Sequence, residues 1–141
     1  NGKKLDDYDK SITEADGRRC IKLLREGNIE CTGLFIMDVA ASFSDFRALD
    51  AWIKETGLTT YTLSVFSPYP GTGAYEEYKD RLTTSDCRKW DLLHLVVAPT
   101  RLSRASFYLL MAWAHVKVLS GNKRLRKHVF SPGRRRRSVL T

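Results

Sequence analysis

The spacing of apolar and polar positions divides the chain into alternating helical and extended stretches. Ser11-Ile12-Thr13-Glu14 has the spacing of a capping box, in which a hydroxyl and a carboxylate satisfy the free amides at a helix start. A helix over 13–26 is predicted to follow, with Cys20, Ile21, Leu23 and Leu24 gathered toward one side, Arg25 in the last turn and Gly27 placed for a left-handed C-terminal conformation. Ile29 to Met37 reads as a strand, and its continuous end, Leu34-Phe35-Ile36-Met37, predicts cover on both faces. Ser42 to Asp45 repeats the cap spacing and opens a second helix, which carries Phe46, Leu49 and Ile53 at helical intervals and stops at Gly57. Thr60 to Phe66 is dense in β-branched and aromatic residues and predicts a second strand, closed by Pro68-Tyr69-Pro70-Gly71.

Helix, strand, helix, strand at a period of about 30 residues is the length of one βα unit, which implies parallel strands joined by right-handed crossovers. A short helix over Ala74 to Asp80 is expected next, then an apolar segment from Leu92 to Val97 that Pro99 ends. A long helix starts at Ser103, with Phe107, Leu110, Met111, Ala114 and Val118 forming a stripe that reads as core packing. Residues 1–120 are expected to form one folded part and residues 121–141 a flexible basic tail.

Composition narrows the class. With 141 residues, 43% hydrophobic and 28% charged, the chain has ordinary globular content, and its longest apolar runs fall well short of the roughly 20 residues a membrane-spanning helix needs. No membrane span and a cytoplasmic location are expected. The net charge of +8 is concentrated in Lys123, Arg124, Arg126, Lys127, His128 and the run Arg134 to Arg137. Such a tail reads first as solvated, and a nucleic-acid partner is not expected because interleaved aromatics and a base-reading module are missing. Cys20, Cys31 and Cys87 are odd in number and widely spaced, so neither a disulfide framework nor a metal-ligand set is expected, and the thiols are expected to be reduced and buried.

Three runs then carry a resemblance. T-G-L-F-I-M-D-V-A-A-S-F-S-D-F (Thr32 to Phe46), S-V-F-S-P-Y-P-G-T (Ser64 to Thr72) and W-D-L-L-H-L-V-V-A-P-T-R-L (Trp90 to Leu102) resemble, in order and spacing, the second half of a radical S-adenosylmethionine domain. Y-D-K-S-I-T (Tyr8 to Thr13) resembles the Y-N-K-G-x-T segment of cobalamin-associated members, and the Asp38 that follows the first strand, with the D-L-L-H…P-T segment (Asp91 to Thr100), resembles hopanoid methylases. The resemblance covers about residues 5–115 and implies an α/β fold, a partial (β/α) TIM-like barrel with parallel strands and a long C-terminal helix. For the whole protein it implies an iron–sulfur oxidoreductase or methyltransferase with a 4Fe-4S cluster, S-adenosylmethionine and cobalamin. The C-x-x-x-C-x-x-C loop that would hold the cluster does not occur in this sequence. No cofactor is therefore expected on this chain alone, which is expected to be inactive by itself; of an expressed fragment and a natural remnant, the opening at Asn1 rather than Met favours the fragment.

Candidate residues follow from strand ends, because functional groups of a parallel barrel gather where strands finish. Met37, Asp38 and Ser67 are the candidate cofactor contacts; Phe66, Tyr69 and His94 are the candidate substrate contacts. Ser42 reads as a cap, and a hydrogen-bonded structural role competes with the substrate role for His94. The wider family's glycine-rich turn is replaced by Asp38-Val39-Ala40-Ala41-Ser42, so its cofactor contact is not carried over to this loop. The expected partners are the missing N-terminal half of the same protein and, through open sheet edges, a second copy of the chain. The competing functional class is a basic nucleic-acid or protein interaction module without catalysis.

Overall fold

The structure, a computed structural model, describes residues 13–121. The basic tail and most of the Tyr8 to Thr13 motif lie outside the described residues.

Helix α1 (Glu14–Glu26) begins at Thr13, whose hydroxyl accepts from the Asp16 amide at 3.2 Å while the Asp16 carboxylate accepts from the Thr13 amide at 2.9 Å. The capping box is thus Thr13 with Asp16, two residues after the one expected from Ser11 and Glu14. Both spacings occur in the sequence, and the later one leaves Glu14 to pair with Arg18 one turn on, at 2.7 Å. The exit also differs from expectation. Gly27 keeps a φ of −78°, and Asn28, at φ 55°, takes the left-handed position. The Asn28 amide donates to Arg25 and the Ile29 amide to Leu24, the paired bonds of a Schellman turn. Asparagine tolerates this conformation, so the glycine one place earlier was not required for it.

Strand β1 (Thr32–Met37) pairs in parallel with β2 (Thr60–Val65), in the register Thr32 to Thr60 through Met37 to Val65. Helix α2 (Phe43–Thr56) connects them. Its start is the predicted box, with the Asp45 carboxylate accepting from the Ser42 amide at 2.8 Å, and its end is a Schellman turn with Gly57 at φ 69°. The hydrophobic contact that usually accompanies such a turn is present, because Ile53 and Leu58 share a buried cluster with Tyr61. Helix α3 (Gly73–Tyr78) and two short 3₁₀ turns follow, and α4 (Arg104–Gly121) closes the described chain.

Period-two alternation sends Phe35, Met37, Tyr61, Leu63 and Val65 to one face of the sheet. There Met37, Leu63 and Val65 join Phe46 of α2, Phe107 and Met111 of α4, and the loop residues Leu95 to Val97 in one core. Phe46 and Phe107 meet edge to face at 5.6 Å, and the Tyr61 hydroxyl donates to the Ala114 carbonyl at 3.0 Å, fixing α4 along β2. The Leu92 to Val97 segment is not a regular strand; Val65 donates to the Leu92 carbonyl at 2.6 Å, so this loop covers the far edge of β2 at its end.

The opposite face carries Leu34, Ile36, Thr62 and Ser64, and here the expectation of cover on both sides of β1 fails. Leu34 is 78% exposed and Ile36 64% exposed. Both helices that flank the sheet contribute to the core on the other face, so the continuous apolar run reports a surface that nothing in the described residues covers. The thiols also depart from expectation: all three cysteines are free, but Cys20 and Cys87 are exposed and Cys31 is half-buried. No helix among the described residues is long and apolar enough to cross a membrane.

Candidate functional site

Both strands finish on the same side of the sheet, and the loops that leave them are built differently. After β1, Asp38 is half-buried and its carboxylate accepts from the Ala40 amide at 2.6 Å, while the Ala41 amide donates to the Asp38 carbonyl at 3.0 Å. This is an Asx turn, a structure that aspartate makes without glycine. Val39 and Ala41 are buried beneath it, and the Thr100 amide donates to the Val39 carbonyl at 3.0 Å. The Asp38 to Ser42 loop is therefore tied down from within and from below.

After β2, the Phe66 amide extends the ladder by donating to the Met37 carbonyl at 2.9 Å. The chain then turns at Tyr69-Pro70-Gly71-Thr72, with the Thr72 amide donating to Tyr69 at 3.2 Å and Gly71 at φ 85°. Proline followed by a positive-φ glycine is the type II turn signature. Glycine is required there for its conformation, since nothing lies within 4 Å of the place a Cβ would occupy. Thr72 then caps α3, its hydroxyl accepting from the Tyr75 amide at 3.2 Å.

The sequence candidates fall into three settings. Met37 is in the core, 7% exposed. Ser67 is buried, its hydroxyl 3.5 Å from the Val65 carbonyl, and Phe66 is half-buried against Tyr78 with ring centroids 5.3 Å apart. Asp38 and Tyr69 stand at the strand mouths, and the Tyr69 hydroxyl donates to the Trp90 carbonyl at 3.0 Å. His94 is exposed and turned to Asp91, with Nδ1 2.9 Å from the carboxylate. Asp91 also accepts from the Leu93 and His94 amides at 2.9 and 3.0 Å. The His94 hydrogen bond, with help from the Leu93 amide, holds the Asp91 carboxyl down at about 2. This cap sits over Leu92, which has φ 63°, a left-handed conformation unusual for a bulky residue.

Several residues that the sequence reading did not single out complete the area. Trp90 lies between Tyr69 and Tyr75, each ring centroid 6.1 Å from its own, at interplanar angles of 59° and 40°. Its indole N–H is shielded from solvent and has no hydrogen-bond partner. Together with Pro70 and the Thr83 to Ser85 segment these rings line an open cleft of about 830 Å³, with exposed Cys87 at its rim. The cleft lies beyond the end of β2, on the side where both strands finish. Its sequence signal was the aromatic spacing of Tyr69, Tyr75 and Trp90, which no single element contains. A second, smaller cavity of about 210 Å³ lies at the opposite end of the strands, between the exits of α1 and α2.

The donor set does not suit an iron–sulfur cluster. Such a cluster needs three or four thiolates brought together, whereas Cys20 lies on α1, Cys31 before β1 and Cys87 in a 3₁₀ turn. Among the described residues no group of three histidines, cysteines or acids could hold a metal ion.

No protein-family model and no solved structure matches the chain. Three curated proteins do. The bacteriochlorophyllide d C-8(2)-methyltransferase of Chlorobaculum tepidum is 26% identical over 117 residues, covering 81% of this chain and 26% of that protein. The anaerobic magnesium-protoporphyrin IX monomethyl ester cyclase of Cereibacter sphaeroides is 29% identical over 112 residues, 72% of this chain and 17% of that protein. The hopanoid C-3 methylase of Methylococcus capsulatus is 38% identical over 63 residues, 45% of this chain and 12% of that protein. The chain thus spans about a quarter or less of the length of the curated relatives it matches. Over that span, the chain is similar to three enzymes of the cobalamin-associated radical S-adenosylmethionine group.

Proposed function

We propose that this chain is the C-terminal part of a radical S-adenosylmethionine enzyme, where it completes a partial (β/α) barrel and shapes the side on which the substrate is held. The observation that carries the reading is the asymmetry of the sheet. Two parallel strands have helices packed on one face and leave Leu34, Ile36, Thr62 and Ser64 open on the other, which is how the inner wall of a barrel is laid out before the remaining strands close it. The relatives support the chemistry, since two are named as methylating enzymes and one as a cyclase.

In this reading the cluster, S-adenosylmethionine and cobalamin are held mainly by the remainder of the polypeptide, because the cysteines of this chain do not suit a cluster. Bound by the rest of the polypeptide, these groups would supply reductive radical chemistry, and the residues of this chain would hold and orient the molecule on which it acts. The contribution of this chain is to position. Asp38 and Ser67 at the strand ends are the cofactor-side candidates, Met37 being packed in the core; Tyr69, Phe66 and His94 are the substrate-side candidates. A cytoplasmic location fits this anaerobic chemistry.

The test is the coding sequence upstream of residue 1. A C-x-x-x-C-x-x-C loop encoded in frame within about 150 residues is expected, the size of a half-barrel and linker. The protein expressed from that longer frame should cleave S-adenosylmethionine to 5′-deoxyadenosine under reducing, anaerobic conditions, and should lose this activity when residues 32–65 are deleted. A frame that opens at residue 1, or cleavage that survives the deletion, would overturn the reading.

A further inference from the structure

We infer that the Tyr69, Tyr75 and Trp90 cleft is a binding site for a flat, conjugated ring system. The inference rests on the reading above for its biological meaning, and it names the substrate class that this side of the enzyme takes. About 830 Å³ is within the range of small-molecule sites, and an apolar wall with a few polar groups at one edge is their usual make-up.

Three aromatic side chains from three separate stretches converge here: the turn after β2, helix α3 and the loop before Leu92. Each is held by a different contact. Tyr69 is held by its bond to the Trp90 carbonyl, Tyr75 by its place in the first turn of α3, and the Trp90 backbone by its amide bond to Cys87 at 3.2 Å. The Trp90 indole N–H has no hydrogen-bond partner among the described residues, although a shielded indole ordinarily finds one, and the ring packs against the main core. Tyr69 remains 44% exposed, an open aromatic surface beside the cleft.

The opposite wall is polar but already committed. The Thr83 hydroxyl donates to the Val96 carbonyl at 3.2 Å, and the Thr84 hydroxyl accepts from the Asp86 amide at 3.2 Å. Few groups are left to read polar substituents, so recognition falls to stacking. Aromatic faces carry a quadrupole that favours offset or edge contact with another π-system, which selects a conjugated ring over a saturated polycycle of the same width.

The test uses the 141-residue chain with protoporphyrin IX as the conjugated probe and a saturated pentacyclic triterpene alcohol as the comparison. Titrations are followed by tryptophan quenching and by the porphyrin absorption band. Saturable porphyrin binding is expected, with the triterpene at least about tenfold weaker, and Trp90→Leu or Tyr75→Leu should each weaken porphyrin binding by about tenfold, the scale of one lost stacking contact. Ser85→Trp, an exposed change that fills the cleft without touching its aromatic wall, should do the same while the circular dichroism stays native. Bound porphyrin should also slow alkylation of Cys87 by N-ethylmaleimide and leave exposed Cys20 on α1 unaffected. Absent binding, equal affinity for the two ring types, or binding indifferent to Ser85→Trp would overturn the inference. Failure here together with S-adenosylmethionine cleavage by the longer frame would leave the proposed function standing.

Discussion

The two faces of the two-stranded sheet are made from one sequence pattern and meet opposite fates. On one, Leu63 and Val65 are 1% and 0% exposed; on the other, Leu34 and Ile36 are 78% and 64% exposed. All four are aliphatic residues in strands of similar length. Strand hydrophobicity therefore does not by itself tell which face is covered within the described residues. The difference also separates two kinds of strand. In β2 the open positions are Thr60, Thr62 and Ser64, and in β1 they are Thr32, Leu34 and Ile36, so the apolar part of the open surface lies toward β1. The β1 edge and the open face adjoin each other, whereas the end of β2 is sealed by the Leu92 loop.

Paired substitutions break this comparison most strongly at the core. Phe107→Ala should destabilise the chain by about 3–5 kcal/mol, because Phe107 is fully buried and meets Phe46 edge to face. Gly33→Ala should cost about 1–3 kcal/mol, since a Cβ there would run into the side chains of Leu58 and Phe35, both packed at the sheet's covered face. Ile36→Thr, by contrast, should leave stability within about 0.5 kcal/mol. Urea midpoints measured on the three variants decide this order, and an Ile36→Thr loss as large as that of Phe107→Ala would mean that the open face is covered after all.

Association sharpens the same contrast. An exposed apolar face beside an unpaired parallel edge is a template for pairing with another chain, so the protein is expected to self-associate at micromolar concentration. Leu34→Lys combined with Ile36→Lys should shift the sedimentation coefficient to that of a monomer with little change in the circular dichroism. A wild-type chain that sediments as a monomer would overturn this expectation.

Local signals in the sequence served the elements well where one physical cause dominated. The Gly57 stop and the Pro70-Gly71 turn each depend on a conformation that few residues adopt, the Ser42 to Asp45 box depends on side chains that few residues carry, and each lies where the sequence put it. The stripe from Phe107 to Ala114 is the buried side of α4, because a 3.6-residue period leaves little choice of face. Where two causes competed, the reading went astray. Thr13 and Ser11 both offered a cap, Gly27 and Asn28 both offered a left-handed exit, and the continuous run in β1 could not reveal which neighbour would be present. The cysteines were misjudged because thiol burial depends on tertiary position, which spacing does not report. The cleft was the least legible part, since Tyr69, Tyr75 and Trp90 converge only after the turn, α3 and the loop before Leu92 are folded together. The strand-end rule led to Asp38 and Tyr69 at the mouths but could not tell Met37, which faces the core, from a residue facing outward.

The smallest predicted effect concerns the loop that seals β2, and it tests whether that seal is local. Asp91 accepts two backbone amides and the His94 ring, and these bonds favour the ionised carboxylate, which is why its pKa falls from the ordinary 3.8 to about 2. A depressed folded-state value means that the ionised cap supports the fold fully above the unfolded value of about 4 and loses that support as the pH falls through about 2. Carbon-detected NMR of the Asp91 carboxyl should give a midpoint near 2, and His94→Ala should move it up toward the ordinary value, because the largest cause of the shift is removed. The structural consequence appears one residue further on. Leu92 sits left-handed between Asp91 and the two amides it caps and offers its carbonyl to Val65, so Asp91→Ala should speed hydrogen exchange at the Val65 amide severalfold near neutral pH while Phe46, on the buried side of α2, keeps its protection. Equal acceleration at both amides would show that the cap supports the whole core instead of the edge of one strand.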